Sequence, residues 1–66
     1  MKNTIRVERA IHQMTQADLA EKISVSRQTI NAMESNKYVP STVLALKIAR
    51  LFGKQVEEIF QLEPGD

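Results

Sequence analysis

Sixty-six residues make one domain at most, and a chain of that size buries only about 60% of its unfolded surface. It has no cysteine, which excludes a disulfide framework and a thiolate metal site and leaves helix packing or self-association to supply stability. No apolar run approaches the ~20 residues of a membrane span and the first twenty residues lack a signal-peptide core, so a soluble intracellular protein is expected.

The net charge of +1 conceals an asymmetry. Residues 1–54 hold nine Lys/Arg against four Asp/Glu, whereas residues 55–66 hold four acids and no base. Two readings stand on charge alone: a chance acidic tail, or a basic body that faces an anion with the acidic end turned away.

Apolar residues recur at helical spacing nearly throughout, and no alternating strand pattern persists. A first helix is predicted over Thr4 to His12, with Asn3 as its cap and Ile5, Val7 and Ile11 as its apolar set. Glu8 is awkward there, because Ile5, Glu8 and His12 share a face; one of them must leave the core or find a partner. A second helix starts after Thr15, where "TQAD" comes close to a capping box with Asp in place of Glu. Leu19, Ala20 and Ile23 form its inward stripe.

Only "SVS" separates it from a third helix, which Ser26 caps. That helix ends near Glu34 or Ser35, and Asn36 can take the left-handed conformation that closes it. "NKYVP" is a loop, because Pro40 disfavours helical geometry at Val39. Ser41 caps a dense fourth helix running to about Phe52, where Gly53 stops it. A short fifth helix covers about Val56 to Phe60, and Gln61 to Glu63 can extend.

The third helix carries the chemistry. At 100° per residue, Ile30 and Met33 point inward with Glu34 beside them. Gln28, Asn31, Ala32 and Ser35 point outward, flanked by Arg27 and Thr29. Side-chain amides can bond adenine edges in pairs, Arg can do so with guanine, and a small Ala leaves room for a thymine methyl. An ordinary solvated face is the bland alternative. The neighbours favour a DNA major groove. A helix, a three-residue turn with an inward Val25 and a second helix with a polar outer face make the helix-turn-helix layout. Gln16 opens the second helix, where its side chain and free backbone N–H groups can hold a phosphate. Lys37 and Tyr38 lie just past the third helix, where another phosphate would pass.

The stretch "MTQADLAEKISVSRQTINAMESNKYVPS" resembles the DNA-binding domain of Cro and the lambda-type phage repressors, above all the short stand-alone bacterial and archaeal regulators of that family. The resemblance covers about residues 3–60. It implies one compact, all-α, five-helix domain over residues 1–66, with the helix-turn-helix at about 16–35. It also implies a homodimer on a double-stranded operator with dyad symmetry, in a bacterial or archaeal cytoplasm on the nucleoid. By the same resemblance Arg27, Gln28 and Asn31 read bases, with Ser26 and Thr29 nearer the DNA backbone. Gln16 clamps a phosphate, Asn36, Lys37 and Tyr38 form a phosphate-contacting loop, and Arg9 and Glu34 form a partly buried ion pair. Two positions depart from the pattern. Ser24 stands where Gly is usual, which implies a mildly strained turn. Glu8 stands where a large apolar residue is preferred, which puts the register of the first helix in question.

No enzyme constellation emerges. His12 is the lone histidine, Glu57 and Glu58 diverge on their helix, and no Gly-rich loop exists. Met14 and Met33 read as packing residues. Nothing points to a cofactor, a metal, a membrane or a small-molecule ligand. The competing reading is a protein-interaction module such as an antitoxin or coactivator, whose outward face on the third helix would be apolar or acidic; this one is neither. Finally, the apolar C-terminal end is too rich for so short a helix to cover. Within the segment 52–63, some of Phe52, Val56, Ile59 and Leu62 are expected to meet their symmetry mates, the alternative being that they close the monomer core.

Overall fold

The computed structural model describes residues 1–66. Five helices follow one another: α1 (Ile5–Ile11), α2 (Gln16–Lys22), α3 (Arg27–Glu34), α4 (Thr42–Phe52) and α5 (Val56–Ile59). Two strands of two residues each, β1 (Lys2–Asn3) and β2 (Phe60–Gln61), pair antiparallel and join the chain ends, with Lys2 opposite Gln61 and Asn3 opposite Phe60. Ile59 accepts from the Thr4 N–H at 2.9 Å just beyond the ladder, so the start of α1 is tied to the end of α5.

Local chemistry explains the helix boundaries. Thr15 and Asp18 form the expected capping box at α2, each side chain accepting the other's backbone N–H at 3.0 Å. Ser26 accepts from Thr29 N–H at 3.1 Å, and Ser41 from Leu44 N–H at 3.2 Å. Such caps are each worth about 1 kcal/mol. Gly53 ends α4 in the left-handed conformation, φ 67°. Three side-chain-bearing residues share that conformation: Ser24 and Asn36, where it was expected, and Gln13 between α1 and α2.

One core of twelve buried apolar residues joins all five helices, with Ile5, Leu19, Ile30, Met33, Ile48 and Ile59 fully enclosed. At roughly 1.5–3 kcal/mol per large buried side chain, this cluster is the main favourable term for so small a domain.

The first helix corrects the expected pattern. Val7 and Ile11 are 56% and 64% exposed, while Glu8 is buried beside Ile5. Residues three apart share a helix face, so the orientation that encloses Ile5 carries Glu8 inward with it. Glu8 finds a partner far along the chain: Lys54 Nζ lies 2.6 Å from its Oε2, whereas its Oε1 makes no hydrogen bond within the protein. His12 leaves the core, its Nδ1 2.9 Å from the Glu8 carbonyl oxygen and its ring tilted against Phe52 at 5.1 Å between centroids.

The C-terminal end differs too. The fifth helix stops at Ile59, and the extended stretch is Phe60–Gln61, a residue earlier than anticipated, because Phe60 turns into the core as it pairs with β1. Phe52 and Ile59, expected among the dimer contacts, are 5% and 0% exposed and spend their surface within one chain. Val56 is half-buried and Leu62 is 79% exposed, so these two retain surface for a partner. No helix is long and apolar enough to cross a membrane.

Candidate nucleic-acid interface

The α2–α3 unit holds its shape by two means. Leu19, Ala20, Ile23, Ile30 and Met33 bury the facing sides of the helices, and half-buried Val25 packs beneath the connecting turn. Ser24 reaches φ 60° inside that turn. With Ile30 and Met33 committed inward, α3 shows the opposite side to solvent: Arg27, Gln28, Asn31 and Ser35 are exposed, and Ala32 lies half-buried between them. Ser35 donates to the Asn31 carbonyl at 2.8 Å and so closes the helix end rather than reaching outward.

Beneath this face lies Glu34, its side chain only 2% exposed. Arg9 grips the carboxylate with two N–H groups, Nε to Oε2 and Nη2 to Oε1 at 3.0 Å. A third N–H of Arg9, on Nη1, donates to the Met14 carbonyl at 3.1 Å and fixes the α1–α2 connection. Gln16 Nε2 donates to Glu34 Oε1 at 3.1 Å, and the exposed Arg6 stands 3.7 Å away. Burial opposes the charge on Glu34. The hydrogen bonds from Arg9 and Gln16 and the positive charge of Arg9 outweigh it, and the carboxyl is held below its ordinary range. The guanidinium of Arg9 is pushed up in turn, chiefly by its hydrogen bonds to Glu34. The expected Arg9–Glu34 pair is therefore present, and it is bidentate, the geometry that makes such pairs strong.

The chain of contacts continues to the surface. Gln16 Oε1 accepts from Arg27 Nη1 at 3.4 Å, so a buried carboxylate is linked through one amide to a guanidinium at the start of the exposed α3 face. Gln16 is thus held between Glu34 and Arg27. Gln28 and Asn31 carry no side-chain partners of their own and project from α3. Ser26 and Thr29 are occupied with each other, their hydroxyl oxygens 2.9 Å apart, at the helix start.

The loop after α3 is anchored from the far end of the chain. Asn3 donates from Nδ2 to the Met33 carbonyl at 2.8 Å and to Asn36 Oδ1 at 3.2 Å, while its Oδ1 accepts from the Ile5 N–H at 3.1 Å. One side chain thereby closes α3, steadies Asn36 at φ 61° and starts α1. Lys37 and Tyr38 follow directly and are exposed, Lys37 without an ion-pair partner. The role of Asn3 across the molecule had no sequence signal beyond its capping ability, because the contact spans 30 residues.

A rigid helix pair whose second member offers only amides, a guanidinium and small groups to solvent is the form of a helix-turn-helix module. A helix-turn-helix family model matches residues 5–59, and that span takes in all five helices. The chain belongs to this family. Its relatives are short as well. It is 56% identical over 63 residues to an HTH-type transcriptional regulator of Methanocaldococcus jannaschii, covering 96% of each chain. It is 44% identical over 63 residues to the HTH-type transcriptional regulator YgzD of Bacillus subtilis, again covering 96% of each. An HTH-type transcriptional regulator of Archaeoglobus fulgidus is 48% identical over 60 residues, covering 91% of this chain and 86% of its own. The protein is a DNA-binding member of the helix-turn-helix regulator family, not an enzyme. In this helix-turn-helix member the five helices share one core and the two ends of the chain pair with each other.

Proposed function

We propose that this helix-turn-helix protein represses transcription in the cytoplasm by occupying a promoter as a homodimer on an inverted-repeat operator. The observation that carries the reading is the α3 face. Arg27, Gln28 and Asn31 project from a helix pinned by Ile30, Met33 and the Glu34 network, so their positions are set before DNA arrives. Arg27 suits guanine and the two amides suit adenine. Lys37, Tyr38 and the backbone near Asn36 serve phosphates, and Gln16 reaches its phosphate while orienting Arg27.

Dimerisation is supported by unspent apolar surface. Leu46 is 56% exposed and shares a depression with half-buried Val56, and Leu62 stands clear of the body. A two-fold axis through this region sets two α3 helices one DNA turn apart, ~34 Å, which calls for half-site centres about 10 bp apart.

Selection of bound sequences from a random duplex pool at physiological salt tests the proposal. A symmetric consensus with that spacing is expected, together with affinity falling ~10³–10⁵-fold between 50 and 200 mM salt for ~6–10 neutralised phosphates. A pool that yields no consensus, or binding indifferent to salt, would reject it in favour of a protein-interaction module.

A further inference from the structure

Three of the nine Lys/Arg residues answer an acid inside the protein: Arg6 and Arg9 at Glu34, and Lys54 at Glu8. Six do not. Arg27 and Lys37 belong to the DNA-facing surface already described, and Lys2 lies on β1. The remaining three, Lys22, Lys47 and Arg50, surround a single depression of about 410 Å³ between the end of α2 and the second half of α4. Its other lining residues are Ile23 and Leu51, so no carboxylate borders it. None of its residues belongs to the recognition face.

We propose that this depression is a second anion site, built for a small phosphate-bearing molecule. Helix energetics explain part of the arrangement but not all of it. Lys22 and Arg50 stand in the last turns of their helices, where a cation complements the negative end of the dipole. Lys47 does not, and at three residues from Arg50 it adds like-charge repulsion on the same helix face. That convergence is a cost until an anion relieves it.

The charge also specifies the ligand. Three cations less roughly half a negative charge from each of the two helix ends leave at most about +2, and about +1 with Lys22 discounted, which suits a phosphate monoester. Lys22 borders the neighbouring depression of Asp18 and Glu21 as well, so its charge is shared, and Lys47 and Arg50 are the principal ligands. Arg50 supplies a planar fork that can bind two phosphate oxygens together, and Lys47 a point charge. Half-buried Leu51 offers a small apolar edge for the organic part. Since α2 is the first helix of the DNA-binding unit, an occupant here would rest directly on the element that positions Gln16.

The test is an NMR titration of the intact, DNA-free protein with AMP, inorganic phosphate and adenosine. Saturable amide shifts at Lys22, Ile23, Lys47, Arg50 and Leu51 are expected with AMP and with phosphate. Adenosine should bind at least ten-fold more weakly than AMP. Lys47→Gln with Arg50→Gln should lose at least ten-fold in AMP affinity while an unchanged far-UV spectrum and melting curve show an intact fold. Shifts confined to Gln28 and Asn31, or full retention of AMP binding by the double variant, would overturn the proposal. So would shifts at Lys47 and Arg50 that respond to duplex DNA and not to AMP, since the surface would then belong to a nucleic-acid backbone. Because the AMP, phosphate and adenosine titrations use no DNA, they fail or succeed independently of the operator reading.

Discussion

Glu34 and Glu8 are both buried carboxylates, 2% and 3% exposed, yet the protein treats them differently. Glu34, under the recognition helix, receives two N–H groups from Arg9 and one from Gln16. Glu8, on α1, has one lysine that is itself 39% exposed, and one oxygen with no partner. Burying an ion is costly, and attraction compensates only when geometry is good and the remaining lone pairs are satisfied. Glu34 meets that condition and Glu8 does not. The lesson is positional: the fully satisfied charge lies under the helix proposed to read bases, and the half-satisfied one ties α1 to the α4–α5 connection, where a looser fit suffices.

The sharpest way to break this comparison is to delete Glu34. Glu34→Ala leaves Arg9 beneath α3 without its counter-charge and frees Gln16 and Arg27, and a loss of about 3–5 kcal/mol in urea unfolding is expected. The pH dependence has a definite sign. The carboxyl of Glu34 is depressed in the folded state, so its contribution is complete above the ordinary value of 4.5 and disappears as pH falls through the lower folded value. Asp18, held down first by its backbone hydrogen bond at Thr15, and Asp66 behave alike. Glu34→Gln should therefore flatten only part of the acid transition. An acid limb identical to that of the unaltered protein would show that Glu34 carries no depressed carboxyl.

The opposite result is expected at Glu8. Glu8→Leu conserves volume approximately, removes the unpartnered oxygen and releases Lys54 to water. By analogy with other replaced buried ion pairs it should be neutral to stabilising, by up to about 4 kcal/mol, read as a higher denaturant midpoint. A loss comparable to that of Glu34→Ala would abolish the distinction between the two sites.

A smaller effect separates the exposed residues above Glu34. Gln28→Ala should relax base choice at one operator position, costing about 1–3 kcal/mol there and little elsewhere. Lys37→Ala should weaken all sequences alike and lower the salt slope by about one. Equal, sequence-independent losses from both would contradict the division into base readers and phosphate contacts.

The two regions also differ in how far they could be read in advance. Around α2 and α3 the information is local. Thr15 and Asp18, Ser26 and Thr29, and the inward Ile30 and Met33 lie within one or two turns of the groups they serve, so spacing alone locates the caps and the exposed face. Around α1 it is not. Val7 and Ile11 look like core by composition, and only Lys54, 46 residues from Glu8, makes the actual register tolerable. The β1–β2 pair has two residues per strand, too few to show alternation, and Asn3 acts on Met33 and Asn36 through contacts that no local pattern encodes. The Arg9–Glu34 pair, equally long-range, was read from family resemblance rather than from spacing. Its extension through Gln16 to Arg27 was not foreseen, because an amide in the first turn of a helix serves a phosphate as readily as a carboxylate.

The least effect is expected at Ser24, and it tests what sets the angle between α2 and α3. Ser24 adopts φ 60°, a conformation that costs a side-chain-bearing residue about 1 kcal/mol or more and glycine almost nothing. If packing and the Glu34 network fix the angle, Ser24→Gly relieves strain without loosening the pair. Stability should then rise by somewhat under 1 kcal/mol, since glycine also gains freedom in the unfolded chain, and operator affinity should stay the same. If instead the strained turn fixes the angle, the glycine variant should melt no higher and bind its operator more weakly. Paired denaturation and binding curves on this one variant decide between a unit held from beneath by Glu34 and one held by its turn.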